Sequence, residues 1–406
     1  MTLAESADMT TSTSQPTSIT AQSVARVRDP RLDFFRGIAM FIILVAHTPQ
    51  SWFPLWIPAR FGFSDATEIF VFCSGMASAI AFGSVFRNRG WWMGTARVAF
   101  RCWQVYWAHI GLFLAVAGAV VLMNAAELTD RDYVAQLNLY HFFKDTMPNL
   151  VGLLTLTYVP NYFDILPMYL VVLAMMPVVI ACYRAHPLLA LALVGLVWFG
   201  AQIDLLAMPA EPWSDREWFF NPFGWQLVFF TGFAFMAGWL PAPPRDRRLF
   251  ALAVVIVLAI VPLAYYRIIG DVPEIRAWRE ANRVLIAKTD FGILRYIHFL
   301  ALAYVCWMAV GEAGRRILPP EGDGALAQVW RTVLAWIMKV GQQSLAVFIT
   351  SMFIARILGL ALDVLGSKSA FNQVLVLVTG FAVLIVVAYG VGWFKLQPWR
   401  RKTETT

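Results

Sequence analysis

Residues 31–48 read RLDFFRGIAMFIILVAHT. From Phe34 onward the run is apolar enough to enter hydrocarbon, yet it carries Arg36 and His47. A helix that crosses a bilayer needs about 20 mostly apolar residues, and an ionisable side chain inside one is costly enough to be a functional candidate. The same ruler, moved outward from this stretch, predicts spans beginning at about 34, 67, 97, 162, 187, 222, 249, 292, 331 and 371. The expected fold is therefore all-α: a polytopic membrane protein of about ten transmembrane helices with a polar cavity between them. Composition agrees, with 406 residues, 59% hydrophobic, 14% charged and a mean hydropathy of +0.63. A soluble domain would carry roughly 25% charged residues, so an ordinary soluble enzyme is excluded.

The expected organisation is a disordered cytoplasmic leader over 1–27, one membrane domain over 28–395 and a basic cytoplasmic tail over 396–406. The leader is rich in Ser, Thr and Ala and has no apolar run of signal-peptide length. The net charge of +7 would suggest nucleic acid in a soluble chain, but here Lys and Arg sit in short loops between apolar spans, so no nucleic-acid partner is expected. Alternate segments hold 18 and 11 basic residues, which predicts that both termini are cytoplasmic. The long outer connections near 124–161 and 270–291 carry periodic apolar residues and are each expected to hold an amphipathic surface or re-entrant helix. Cys73, Cys102, Cys182 and Cys306 lie in apolar stretches without a C-x-x-C or Cys/His pair and read as packing residues. There is no repeat of fixed period and no P-loop motif, so nothing points to ATP-driven chemistry.

The ionisable residues fall at two depths. Arg36 and His47 are eleven positions apart, which places them on one helix face about 16 Å apart along the axis. A lone His in a span reads as a hydrogen-bonded packing residue; an Arg on the same stripe argues for a polar groove. Asp65 and Glu68, three apart at the start of the second span, share a face, and Asp164 opens the fourth. Helix-dipole stabilisation alone would place carboxylates at such N-termini, but three at the depth of His47 favour a site. His109, Arg295 and His298 are expected at the same outer level, the last two on one face just below Lys288. Arg97 and Arg101, one turn apart at the inner end of the third span, read either as topology anchors or as a phosphate clamp for a polyanionic donor such as coenzyme A. Lys339, Gln342, Gln343 and Ser344, near the middle of the ninth span, either bridge helices or line a cavity. Most of the 17 Trp are expected in interfacial belts, with stacking on a sugar ring as the functional alternative.

The runs RLDFFRGIAM at 31–40, FGFSDATEIFVFCSGMASA at 61–79, DILPMY at 164–169, NPFGWQLVFFTGF at 221–233, the Arg295/His298 pair and GQQSLAVF at 341–348 resemble the OpgC family. These are membrane succinyltransferases of osmoregulated periplasmic glucans, and the resemblance covers about 28–400. The family is similar to the wider class of membrane-bound acyltransferases that use cytosolic acyl-CoA. In that class a basic residue and a histidine on the first helix have the spacing of Arg36 and His47. The resemblance thus implies His47 as the catalytic histidine and Arg36 as a group orienting the donor or the ring. The basic pair on the third helix of that class is separated by two residues, whereas three separate Arg97 and Arg101.

What the resemblance implies is transfer of an acyl group, typically succinyl, from acyl-CoA to a hydroxyl of a periplasmic glucan, at the bacterial inner membrane. His47 is then the expected base, oriented by Asp65, Glu68 or Asp164. Arg295 or His298 would supply an oxyanion donor or hold the free succinyl carboxylate. Lys288, His109, Gln342 and Ser344 are further candidates for contact with substrate, and Arg97 and Arg101 for the donor. No metal is required; a zinc site from His47, His109 and a carboxylate is the less favoured alternative. From another class, a proton-coupled exporter or flippase for a glycan or lipid would use the same His and carboxylates. Oligomeric state is not encoded in these patterns.

Overall fold

The computed structural model describes residues 29–322 and 324–400. The leader expected over 1–27, and the tail from Arg401 onward, lie outside the described residues. Eleven helices of 16 residues or more form the body of the described chain: α1 (Pro30–His47), α2 (Ala66–Ala81), α3 (Gly83–Ala125), α4 (Ile165–Ala185), α5 (Pro187–Gln202), α6 (Pro222–Ala237), α7 (Arg247–Ala264), α8 (Ile293–Val310), α9 (Ala325–Gln342), α10 (Ser344–Leu365) and α11 (Ala370–Leu396). No strand is present among the described residues beyond one isolated bridge, Pro209 with Glu217. The fold is all-α, as expected.

Six helices, α3, α4, α7, α8, α10 and α11, are long and apolar enough to cross a membrane, and this is a membrane protein. The expected count of about ten is not established by that measure, because α2, α5 and α6 are apolar but only 16 residues each. The ninth predicted span needs correction. Residues from 331 belong to α9, both ends of which lie at the end of the bundle where α1 begins. Trp330 Nε1 donates to the Ile317 carbonyl at 2.7 Å, close in sequence to Gly314, which packs on Arg31, while Gly341 packs on Asp33. The apolar helix of this region is α10, which starts afresh after the break at Gln343. Arg331 and Lys339 give α9 a polar face, and a window laid across the α9/α10 junction merges the two helices.

Local chemistry sets the boundaries. Asp29 caps α1 by accepting the Arg31 N–H at 3.0 Å, and Pro30 stands at the first turn, where its missing N–H costs nothing. Asp65 and Glu68 form a capping box on α2: Asp65 Oδ1 accepts the Thr67 N–H at 2.6 Å and Glu68 Oε2 accepts the Asp65 N–H at 2.7 Å. Gly90, with φ +84°, breaks α3, and the part from Trp91 to Ala125 rises about 52 Å at 1.5 Å per residue. That exceeds a hydrocarbon core of about 30 Å, so one end of α3 stands clear of it.

Packing is closest between α2 and α6. A methyl group at Gly75 would overlap the Phe229 carbonyl, and one at Gly232 would overlap that of Phe72. Small residues let the two backbones touch where no hydrophobic driving force separates helix from lipid. Between α3 and α4 stand the short helices Tyr133–Gln136, Tyr140–Lys144 and Thr146–Thr155. Between α7 and α8 stand Tyr266–Asp271, Pro273–Ala281 and Arg283–Ile286. These cover the end of the bundle where α1 finishes and where α2, α4, α6 and α8 all begin, here called the far end.

Candidate active site

His47 is the last residue of α1, which Pro49 prevents from continuing. Its Nδ1–H donates to the Ile43 carbonyl one turn back at 2.8 Å. A carbonyl only accepts, so the proton sits on Nδ1 and Nε2 keeps its lone pair. The ring stands edge-on to Tyr162, with centroids 5.5 Å apart. Both line a cavity of about 260 Å³ at the far end, together with Thr67, Asn161, Asp164, Lys288, Phe219, Phe220 and Met352. The Tyr162 hydroxyl donates to the Met352 carbonyl at 2.5 Å, and its backbone has φ +91°.

The carboxylates that were expected to orient His47 are engaged elsewhere. Asp65 Oδ2 accepts from Lys288 Nζ at 2.5 Å, and Glu68 Oε1 accepts from Arg295 Nη1 at 2.7 Å. The backbone carbonyl of Ile43, one turn back on the same helix, holds the imidazole in their place through its second lone pair. Asp65 and Lys288 are still close enough to act on the ring's charge. Burial pushes the Asp65 carboxyl up, but the Lys288 charge and hydrogen bond outweigh it and hold the group well below the usual carboxylate range. Asp164, just ahead of α4, accepts the Phe219 N–H at 3.1 Å and is buried; burial pushes its carboxyl up to about 7. Four helix N-termini meet here, and their partial positive charge favours the acidic cluster.

Behind this cavity, His298 holds the loop that leads into α2. Its Nδ1 accepts the Ser64 N–H at 3.2 Å and the Ser64 hydroxyl at 2.6 Å, so the ring is neutral with its proton on Nε2. A side chain at Gly62 would overlap that ring. Arg295 and His298 thus brace the capping loop and do not line the cavity. His109 is buried on α3, neither of its ring nitrogens is hydrogen-bonded among the described residues, and it does not line the cavity either.

The remaining candidates gather at the opposite end, where α1 begins. The Arg36 guanidinium donates to the Ser344 hydroxyl at the start of α10. Arg97 is exposed on α3, and Arg101 donates to Gln104 at 3.1 Å. Gln342 closes α9. The structure brings His47, Asp164 and Lys288 around one cavity, with Asp65 paired to Lys288 and Glu68 buried against Arg295, and separates them from Arg36, Arg97, Arg101, Gln342 and Ser344.

Tyr162, Thr67 and Ser64 were not singled out by sequence reasoning. Tyr162 lies two residues before Asp164, and that adjacency was the available signal; Ser64 and Thr67 flank Asp65. Among the described residues no group of three His, Cys, Asp or Glu side chains is placed to hold a metal ion.

The model of the OpgC protein family matches residues 28–396. No curated protein and no solved structure matches the chain. The family match takes in every helix from α1 to α11 and every residue that lines the cavity. The chain therefore belongs to the OpgC family, and with it to the membrane acyltransferases that act in glucan modification.

Proposed function

We propose that this protein is a transmembrane O-acyltransferase that moves a succinyl group from cytosolic succinyl-CoA to a hydroxyl of a periplasmic glucan. It would lie in the bacterial inner membrane, with both termini and the start of α1 in the cytoplasm and the His47 cavity at the periplasmic end. In that arrangement α9 rests at the cytoplasmic end and the other ten long helices cross the bilayer. The observation that carries the reading is His47: a neutral imidazole with Nδ1–H tied to Ile43 and a basic Nε2, in a cavity that also holds a cation, Lys288.

The reaction follows from those groups. A sugar hydroxyl bound in the cavity gives its proton to His47 Nε2 as its oxygen attacks the thioester carbonyl. The new C–O bond forms, the carbonyl oxygen takes negative charge, and Lys288 Nζ is the cation available to stabilise it or to hold the free carboxylate of a succinyl group. The tetrahedral carbon then expels the CoA sulfur, which takes the proton from the imidazolium. His47 ends as it began. Tyr162 packs edge-on to the ring and helps to fix its orientation.

The test is release of CoA thiol by the purified protein from acetyl-, succinyl- and other acyl-CoAs in the presence of a periplasmic glucan fraction, followed by mass analysis of the glucan. Addition of one succinyl group per ester is expected with succinyl-CoA, and none with His47→Ala. Another mass increment would keep the chemistry and change the donor. Absence of His47-dependent release with any donor would overturn the reading in favour of a proton-coupled exporter or flippase.

A further inference from the structure

Cations from four helices converge at the end of the bundle where α1 begins, away from the His47 cavity. Lys339 occupies the last turn of α9 and Lys395 the last turn of α11. Lys395 Nζ donates to Gln343 Oε1 at 2.6 Å. Lys339 Nζ fills the space beside Gly392, one turn before Lys395; a methyl there would stand 2.5 Å from Lys339 Nζ and 3.7 Å from Gln343 Nε2. Two ammonium groups therefore flank one side-chain amide, and the missing Cβ at 392 makes the approach possible. Arg101 from α3 and Arg36 from α1 lie close enough to act on the charge of Lys395, and Arg36 is anchored to Ser344, the residue after Gln343.

Like charges held this close repel one another unless an anion joins them. Among the described residues Arg101, Lys339 and Lys395 make no ion pair. Their partners are neutral: Gln104 for Arg101, the Tyr389 ring 5.3 Å from Lys339 Nζ, and Gln343 for Lys395. Lys395 is exposed and Lys339 half-buried, so a ligand can reach the pair. This differs from the Lys288 and Arg295 cations at the far end, each of which has its own carboxylate.

We propose that Lys339 and Lys395, set around Gln343 and supported by Arg101, form a binding site for a ligand bearing a phosphate or diphosphate group. Two ammonium groups and an amide N–H at one locus suit several phosphate oxygens at once. Two ligands carry that chemistry at this face, the diphosphate of the acyl donor and the headgroup of an anionic phospholipid. Assignment to the donor rests on the acyl-transfer reading, whereas the phosphate site itself does not.

The experiment uses the full chain in nanodiscs. Coenzyme A is titrated calorimetrically against protein in phosphatidylcholine discs, and retention of phosphatidylglycerol is measured separately in mixed discs. Lys339→Gln/Lys395→Gln is expected to weaken one of these interactions by about tenfold or more, the scale of a lost charge-assisted hydrogen bond. Lys339→Arg/Lys395→Arg should restore it, and Lys368→Gln, at the far end, should leave it unchanged. Weakened coenzyme A binding assigns the site to the donor, and lost phosphatidylglycerol retention alone assigns it to lipid. Both interactions unchanged in the Gln pair would overturn the proposal. If that pair fails to fold, Gly392→Leu carries the same test, since it displaces Lys339 while both charges remain. Binding is read without turnover, so failure of acyl transfer and failure of this site are separate results.

Discussion

Arg295→Met probes the ion pair on which the far end depends. Arg295 and Glu68 meet at 2.7 Å with side chains 10% and 0% exposed, so neither charge is screened by water. Glu68 also accepts the Asp65 N–H at the head of α2, which ties the pair to the capping box. Removing the guanidinium leaves a buried carboxylate with that single N–H, and stranding one partner of a buried pair costs about 3–5 kcal/mol. Glu68→Gln/Arg295→Met should recover much of the loss, because the Gln amide oxygen still accepts from Asp65 N–H and no charge is stranded. The expected coupling between the two changes is about 2 kcal/mol or more. The assay is reversible unfolding of purified protein in mixed micelles, followed by circular dichroism for the wild type, both single variants and the double variant. A cost below about 1 kcal/mol for Arg295→Met, or additive single effects, would refute the reasoning, since a pair worth that little behaves as a solvated one.

Other perturbations have outcomes set by the same geometry. Lys288→Met should cost less than Arg295→Met in the same unfolding assay, because Lys288 and Asp65 are 27% and 14% exposed, yet it should lower acyl transfer; a larger stability loss than Arg295→Met with activity retained would reverse the roles of the two pairs. His47→Ala should reduce kcat by about 10²–10⁴ while the protein stays folded, and thiol release at the wild-type rate would remove the base assignment. Asp164 has a folded pKa of about 7 against an ordinary 3.8, so the folded chain keeps a proton over that window which the unfolded chain has lost. The stability contributed by the neutral carboxyl therefore falls as pH rises from about 4 to 7 and levels off above it. Asp164→Asn should flatten that fall in melting temperature, and parallel profiles for wild type and variant from pH 4 to 8 would contradict it. Gly232→Val should destabilise by about 1–3 kcal/mol or more through overlap with the Phe72 carbonyl, and a neutral result would show that α2 and α6 separate freely.

The sequence by itself determined the all-α membrane fold, because a bilayer demands long apolar helices and hydropathy is a local property. It also determined which residues are unusual: Arg36, His47, Asp65, Glu68 and Asp164 stand out because charge within or beside apolar runs is conspicuous. Helical spacing placed Arg36 and His47 on one stripe, and in the structure Arg36 lies in the first half of that helix while His47 is its last residue. Local signals failed at the α9/α10 junction, where a hydropathy window does not distinguish an amphipathic helix along one end of the bundle from the apolar helix that follows it.

Pairing was decided only by tertiary structure. Asp65, Glu68 and Asp164 were equal candidates to orient His47, yet Lys288 and Arg295 took the first two and the Phe219 N–H the third, leaving the ring to its own helix carbonyl. Each of those partners is more than 50 residues away along the chain, and helix periodicity carries no information about which helices become neighbours. Lys339 stands out in the sequence as a charge beside Gln342, Gln343 and Ser344, and Lys395 only as a charge at a helix end, and nothing local links the two. Contact between α9 and α11, made close by the bare Cα of Gly392, is what sets two ammonium groups around one amide.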